Sequence, residues 1–181
     1  MPHGQSFTGE GRYAAGALEL ALDTRALDLK AWDKRLATTR LAGSLKIAAD
    51  AQSQSLSALL TQQGYRIETD VVRHADLLTV KRASAAARGG SLTLSGEIAL
   101  EPPHAFRAHG KLARFDPSAF FEVPHARVNA DITAKGSVTP QWSAQVAVRA
   151  DGSGPRGEAF TADARALVRP QRVSDLRGRV T

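Results

Sequence analysis

Apolar and polar residues alternate with period two along most of the chain. In the clearest run, from Gly89 to Leu100, Leu92, Leu94, Ile98 and Leu100 keep one phase, with Gly96 filling the missing beat. Thr93, Ser95, Glu97 and Ala99 hold the other phase, which describes a strand with one apolar and one wet face. The pattern recurs at Leu18–Leu20–Leu22, Leu27–Leu29–Ala31, Leu41 to Ala49, Tyr65 to Val71 and Leu77 to Ala83. It returns at Phe106 to Leu112, Val128 to Ala134, Trp142 to Val148, Phe160 to Val168 and from Val173 onward. Leu56 to Gln62 fits a helical turn or a strand, and its neighbours favour a strand. Residues 1–15 are polar and glycine-rich and are expected to be irregular.

One short helix is expected over 117–121. Asp116 is a natural N-cap and Pro117 suits the first helical position. About eleven strands with short connections leave no room for the helical crossovers of a parallel sheet. The expected fold is therefore all-β: one elongated, curled antiparallel sheet over residues 16–181, an open trough with an apolar interior. Gly43-Ser44-Leu45, Gly90-Ser91-Leu92 and Gly136-Ser137-Val138 hint at a repeated four-strand unit.

Composition sharpens this picture. Hydrophobic residues make up 43% and aromatics only 6%, so Ala, Leu and Val give the apolar face a smooth surface. The absence of cysteine removes disulfides and thiolate chemistry. No run of 18 apolar residues offers a membrane-spanning helix. A net charge of +6 raises nucleic acid as a partner, but the Lys and Arg residues are spread over polar strand positions, so no nucleic-acid role is expected.

Motifs with chemistry are thin. Gly152-Ser153-Gly154-Pro155-Arg156-Gly157 matches the dinucleotide fingerprint, yet a strand rather than a helix follows it, and a hairpin loop is the better reading. His3, His74, His104, His109 and His125 include no pair at metal-ligating spacing, and no Gly-x-Ser-x-Gly elbow exists. No catalytic residue, metal site or cofactor is expected. Phe115, Phe120 and Phe121 form the densest aromatic patch, read as a cap on the open end of the sheet more readily than as a ligand-touching lip. Trp32 and Trp142 read as packing anchors at strand edges.

The order Gly90-Ser91-Leu92-Thr93-Leu94-Ser95-Gly96-Glu97-Ile98-Ala99-Leu100, Phe106-Arg107-Ala108-His109-Gly110-Lys111-Leu112, Phe115-Asp116-Pro117-Ser118-Ala119-Phe120, Ala126-Arg127-Val128-Asn129-Ala130, Gly136 and Trp142 resembles the TamB (translocation and assembly module) family, in the AsmA-like group. Leu27-Asp28-Leu29-Lys30 and Arg40 to Leu45 are also similar to its repeats. The resemblance spans about residues 16–180. It implies a β-taco with an apolar interior in the periplasm of a Gram-negative bacterium, anchored to the inner membrane through a region outside this chain. It further implies a role in inner-to-outer membrane phospholipid transport and in outer-membrane protein assembly and secretion, with a barrel partner met through other regions. On this reading the chain is an internal, truncated segment.

Physical reasoning converges on the same device. Small inner side chains cannot fill a closed core, whereas a trough can shelter phospholipid acyl chains. At ~0.8 kcal/mol per buried CH₂, full shelter of a chain of roughly sixteen carbons would contribute on the order of 12 kcal/mol. The expected lining is Leu18, Leu20, Leu45, Ile47, Ile67, Leu92, Leu94, Ile98, Leu100, Phe106, Val128, Ile132, Val146 and Val148. The alternatives are a structural or adhesive β-sandwich with a closed core and no ligand, or a lipocalin-like barrel.

Overall fold

Hairpin follows hairpin throughout, and twelve antiparallel strands join one sheet in strict sequence order. The computed structural model describes residues 7–31, 33–121, 123–154, 156–170 and 172–181. The strands are β1 (Phe7–Ala14), β2 (Ala17–Leu27), β3 (Leu41–Ala49), β4 (Ser53–Gln62), β5 (Tyr65–His74), β6 (Leu77–Ala87), β7 (Gly90–Ala99), β8 (Ala105–Phe115), β9 (Arg127–Ser137), β10 (Ser143–Ser153), β11 (Ala159–Arg169) and β12 (Arg172–Val180). β1 and β12 each pair with one neighbour only, so the sheet is open. The accessible surface is 12418 Å², against roughly 8,500 Å² for a compact fold of this mass. A closed sandwich or barrel does not fit an excess of that size.

Four expectations are corrected. Phe7–Ala14 is a strand, although residues 1–15 read as irregular. Its glycines Gly9 and Gly11 hide the pattern locally, and it forms by pairing with the leucine-rich β2. Residues 1–6 lie outside the described residues. Leu29–Ala31 is a 3₁₀ turn and not a strand. There the Asp28 carboxylate accepts the N–H groups of Lys30 (3.1 Å) and Thr39 (2.9 Å), and the Thr39 hydroxyl accepts the Leu29 N–H at 2.9 Å. Local side-chain acceptors of this kind outcompete a ladder. Leu100 lies past the end of β7, its N–H donating to Asp76 O at 2.7 Å. Last, the helix is shorter than expected: a 3₁₀ turn over Pro117–Ala119, with Asp116 as N-cap accepting the Ser118 N–H.

The sheet curls towards its apolar face. On β8 and β9, Arg107, His109, Lys111, Asp131, Thr133 and Lys135 are exposed, while Phe106, Ala108, Leu112, Ile132 and Ala134 are half-buried and Gly110 and Ala130 are buried. The contrast is local to these strands: on β7 Leu94 is exposed while Thr93, Ser95 and Glu97 are half-buried. The bending points are glycines of the apolar phase. At Gly43, Gly90, Gly136 and Gly152 a Cβ would overlap the carbonyl oxygen of Leu59, Arg114, Ser143 and Arg127, respectively. At Gly96 it would lie 2.5 Å from Arg107 O. Each of these carbonyls belongs to the neighbouring strand, which therefore rises over the apolar side. The glycines of the suspected repeat share this role. However, Gly43 and Gly90 are four strands apart, whereas Gly90 and Gly136 are separated by two strands and a long connection.

Two connections are long, residues 28–40 and 116–126, and both leave the same margin of the sheet. They meet each other: Leu36 bridges Phe121, and the Ala37 N–H donates to Phe120 O at 2.8 Å. Beneath them lie the two buried clusters. One joins Ala87, Phe115, Ala119 and Phe120; the other joins Leu27, Leu41 and Leu60; and Tyr65 packs on both.

Candidate functional site

Cross-strand register shows which side chains share a face. The row through Leu94 crosses every strand: Gly9, Leu22, Leu45, Ala58, Thr69, Ala83, Leu94, Gly110, Ile132, Val148, Ala164 and Gly178. On one side runs the row Phe7, Thr24, Gly43, Leu60, Ile67, Ala85, Leu92, Leu112, Ala130, Ala150, Ala162 and Val180. On the other runs Gly11, Leu20, Ile47, Leu56, Val71, Val80, Gly96, Ala108, Ala134, Val146 and Ala166. None of these positions is charged. Eleven interstrand steps of ~4.8 Å make the lane about 53 Å long.

Thirteen of the fourteen expected lining residues share this face. Leu45, Leu94, Ile132 and Val148 lie in the central row, Ile67 and Leu92 in one flank, and Leu20, Ile47 and Val146 in the other. Leu18, Ile98 and Phe106 belong to the next row out, and Val128 pairs with Phe115 beside the cap. Leu100 is the exception, being outside the ladder. The lane is unfilled at its middle, where Leu94 is 42% exposed.

The opposite face is polar and self-complementary. Lys111, Asp131, Arg149, Asp163 and Arg179 stand in register with alternating sign, and Arg149 Nε lies 3.3 Å from Asp163 Oδ2. Shallow depressions of about 510 and 690 Å³ occur on this side, ringed by Glu10, Arg12, Glu19 and Lys46 and by Arg107, Lys135 and Arg165. These are gaps between long solvated side chains over strand backbone. The lane is the feature that spans the molecule.

No family model, curated protein or solved structure matches the chain. What it does must therefore be read from its residues and their arrangement.

The cap contains a Ser–His–Asp cluster that sequence reading missed, because no local motif marks it. His125 Nδ1 lies 2.7 Å from Ser118 Oγ and 3.0 Å from Asp116 Oδ2. Both partners address the same ring nitrogen, whereas a hydrolytic triad needs the serine on one imidazole nitrogen and the carboxylate on the other, so the cluster lacks triad geometry. The cluster acts as a fastening for the 116–126 connection, with Asp116 Oδ1 also accepting the N–H groups of Ser118 and Ala126. Partial burial pushes the Asp116 pKa up, but hydrogen bonds from His125, Ser118 and Ala126 outweigh it and bring the value down to about 2. A folded pKa below the unfolded ~3.9 contributes stability that is complete above pH ~4 and is lost as pH falls towards 2. After discounting for solvent screening, roughly 1 kcal/mol is expected. Asp116→Asn keeps the cap hydrogen bond but not the charge. The difference in urea unfolding free energy between wild type and this variant should therefore shrink between pH 5 and pH 2.5. A constant difference would show that the Asp116 charge contributes nothing.

Gly152 to Gly157 sits at the β10–β11 hairpin, with Gly154 N–H bonded to Glu158 O at 2.9 Å and a strand on each side. Trp142 precedes β10 and is 40% exposed. Trp32 lies outside the described residues.

Proposed function

We propose that the chain is a non-catalytic, lipid-sheltering segment of a TamB-like periplasmic protein. Its apolar lane covers phospholipid acyl chains on their way from the inner to the outer membrane, in support of outer-membrane protein assembly and secretion. The observation that carries this reading is the uncharged row through Leu94. It runs unbroken over twelve strands on the side towards which the sheet curls. An apolar face this long needs covering, and the chain's own cap covers only one margin. The lane has few polar hooks, so an acyl chain gains burial without a fixed stopping place, which suits passage more than retention. The likeness of residues 16–180 to TamB repeats supports the same assignment. An adhesive role would favour a closed core, and the open sheet speaks against it.

Photo-crosslinking in Gram-negative cells tests the reading. A photoreactive residue at Leu94 or Ile132 is expected to yield adducts carrying phospholipid, and one at Thr93, on the polar face, should yield none. Lipid-free recovery from both lane positions would sink the proposal.

A further inference from the structure

The four apolar rows contain a single charged side chain. In the row outside Gly96 (Tyr13, Leu18, Ala49, Gln54, Arg73, Leu78, Ile98, Phe106, Gly136, Ala144, Val168, Val173), Arg73 faces the apolar side with Gln54 paired beside it. This is the margin opposite the cap. There the β3–β4 and β5–β6 turns are locked side by side, the Ala75 N–H donating to Gln52 O at 3.2 Å. Between them is a niche of about 370 Å³ lined by Asp50, Gln52, Gln54, Arg73 and His74.

Two groups of opposite sign meet at this niche, each with free capacity. Arg73 Nε donates to Ala75 O at 3.3 Å, which steadies the guanidinium and leaves its terminal nitrogens without a partner among the described residues. Asp50 Oδ1 accepts the N–H groups of Gln52 and Ser53, at 2.8 and 2.7 Å, while Oδ2 makes no hydrogen bond among the described residues and interacts only electrostatically with the nearby His74 ring. A guanidinium fork matches phosphate oxygens, and a carboxylate oxygen accepts from an ammonium.

We propose that this niche is a headgroup subsite for a zwitterionic lipid bearing both a phosphate and an ammonium, whose acyl chains occupy the adjoining lane. Arg73 takes the phosphate, Gln54 adds a donor to it, and Asp50 takes the ammonium. The inference rests on the lipid-sheltering reading, and it adds a headgroup preference that a purely apolar lane lacks.

The test measures lipid retained by the full chain after incubation with vesicles of phosphatidylethanolamine, phosphatidylglycerol or diacylglycerol doped into a common carrier, all with the same acyl chains. Wild type should retain phosphatidylethanolamine best, roughly three- to tenfold above the others, as expected for rim-exposed charge contacts. Arg73→Gln should bring both phospholipids to the diacylglycerol level. Asp50→Asn keeps the turn and should erase only the preference for the amine headgroup. Phosphoethanolamine without chains should compete weakly; full competition would mean a soluble-phosphate site and overturn the lipid assignment of the niche. If wild type retains all three lipids equally while Leu94→Asp loses them all, the lane reading stands and the subsite falls. If wild type retains none, both fall together.

Discussion

Phe120→Ala should lower the unfolding free energy by about 4 kcal/mol, within the range for emptying a buried aromatic site. Phe120 is 7% exposed and touches both halves of the cap. Its ring stacks on Phe115 at 5.7 Å and meets Tyr65 edge-on at 5.8 Å. Its carbonyl receives the Ala37 N–H from the other long connection. Because Tyr65 also packs on Leu41 and its neighbours, the cavity would loosen both buried clusters. Phe121, next in sequence, is 42% exposed, and its truncation should cost under ~1 kcal/mol. Urea unfolding of both variants decides the matter: equal losses would mean that the cap is not the core. An open sheet has little other buried apolar material to fall back on, so one ring carries an unusual share.

Gly136→Ala should cost about 3 kcal/mol, the upper end for forcing extra volume into a packed site. Its Cβ would overlap Ser143 O, a backbone atom that cannot swing aside as a side chain can. Relief requires β10 to drop away from the apolar face, so the crease opens as stability falls. Gly110→Ala is the matched control. The same change one strand earlier meets nothing nearer than Ile132 Cβ at 3.6 Å and should stay within ~0.5 kcal/mol of wild type. Urea midpoints give the stability, and small-angle scattering gives the width of the trough. An equal response from both glycines would remove the creases as the cause of curling.

The period-two pattern alone makes most of this fold legible. Strands such as β7 and β9 declare their faces outright, and the Asp116-Pro117 start of the 3₁₀ turn followed from capping chemistry. What stayed hidden has physical causes. In β6 the lane phase passes from Leu78 and Val80 to Ala83 and Ala85 across a bulge at Lys81–Arg82, and a bulge has no residue signature of its own. β1 borrows its conformation from its partner strand, since Gly9 and Gly11 carry no side-chain signal. The meeting of Leu36 with Phe121 joins two distant connections through backbone groups, which any residue could supply. Arg73 continues the phase of Tyr65, Ile67, Thr69 and Val71, but only the register shows which row it joins and that Gln54 stands beside it.

The register also has an architectural consequence. Because every row passes from strand to strand in step, the protein works as a ruler whose unit is the hairpin. Each added pair of strands extends the path by about 9.6 Å without altering its width, polarity or handedness. Span and cross-section are thereby uncoupled: glycine creases set how tightly the wall bends, and the count of hairpins sets how far it reaches. A wall of any length could be built by repetition alone, with no new lining to invent.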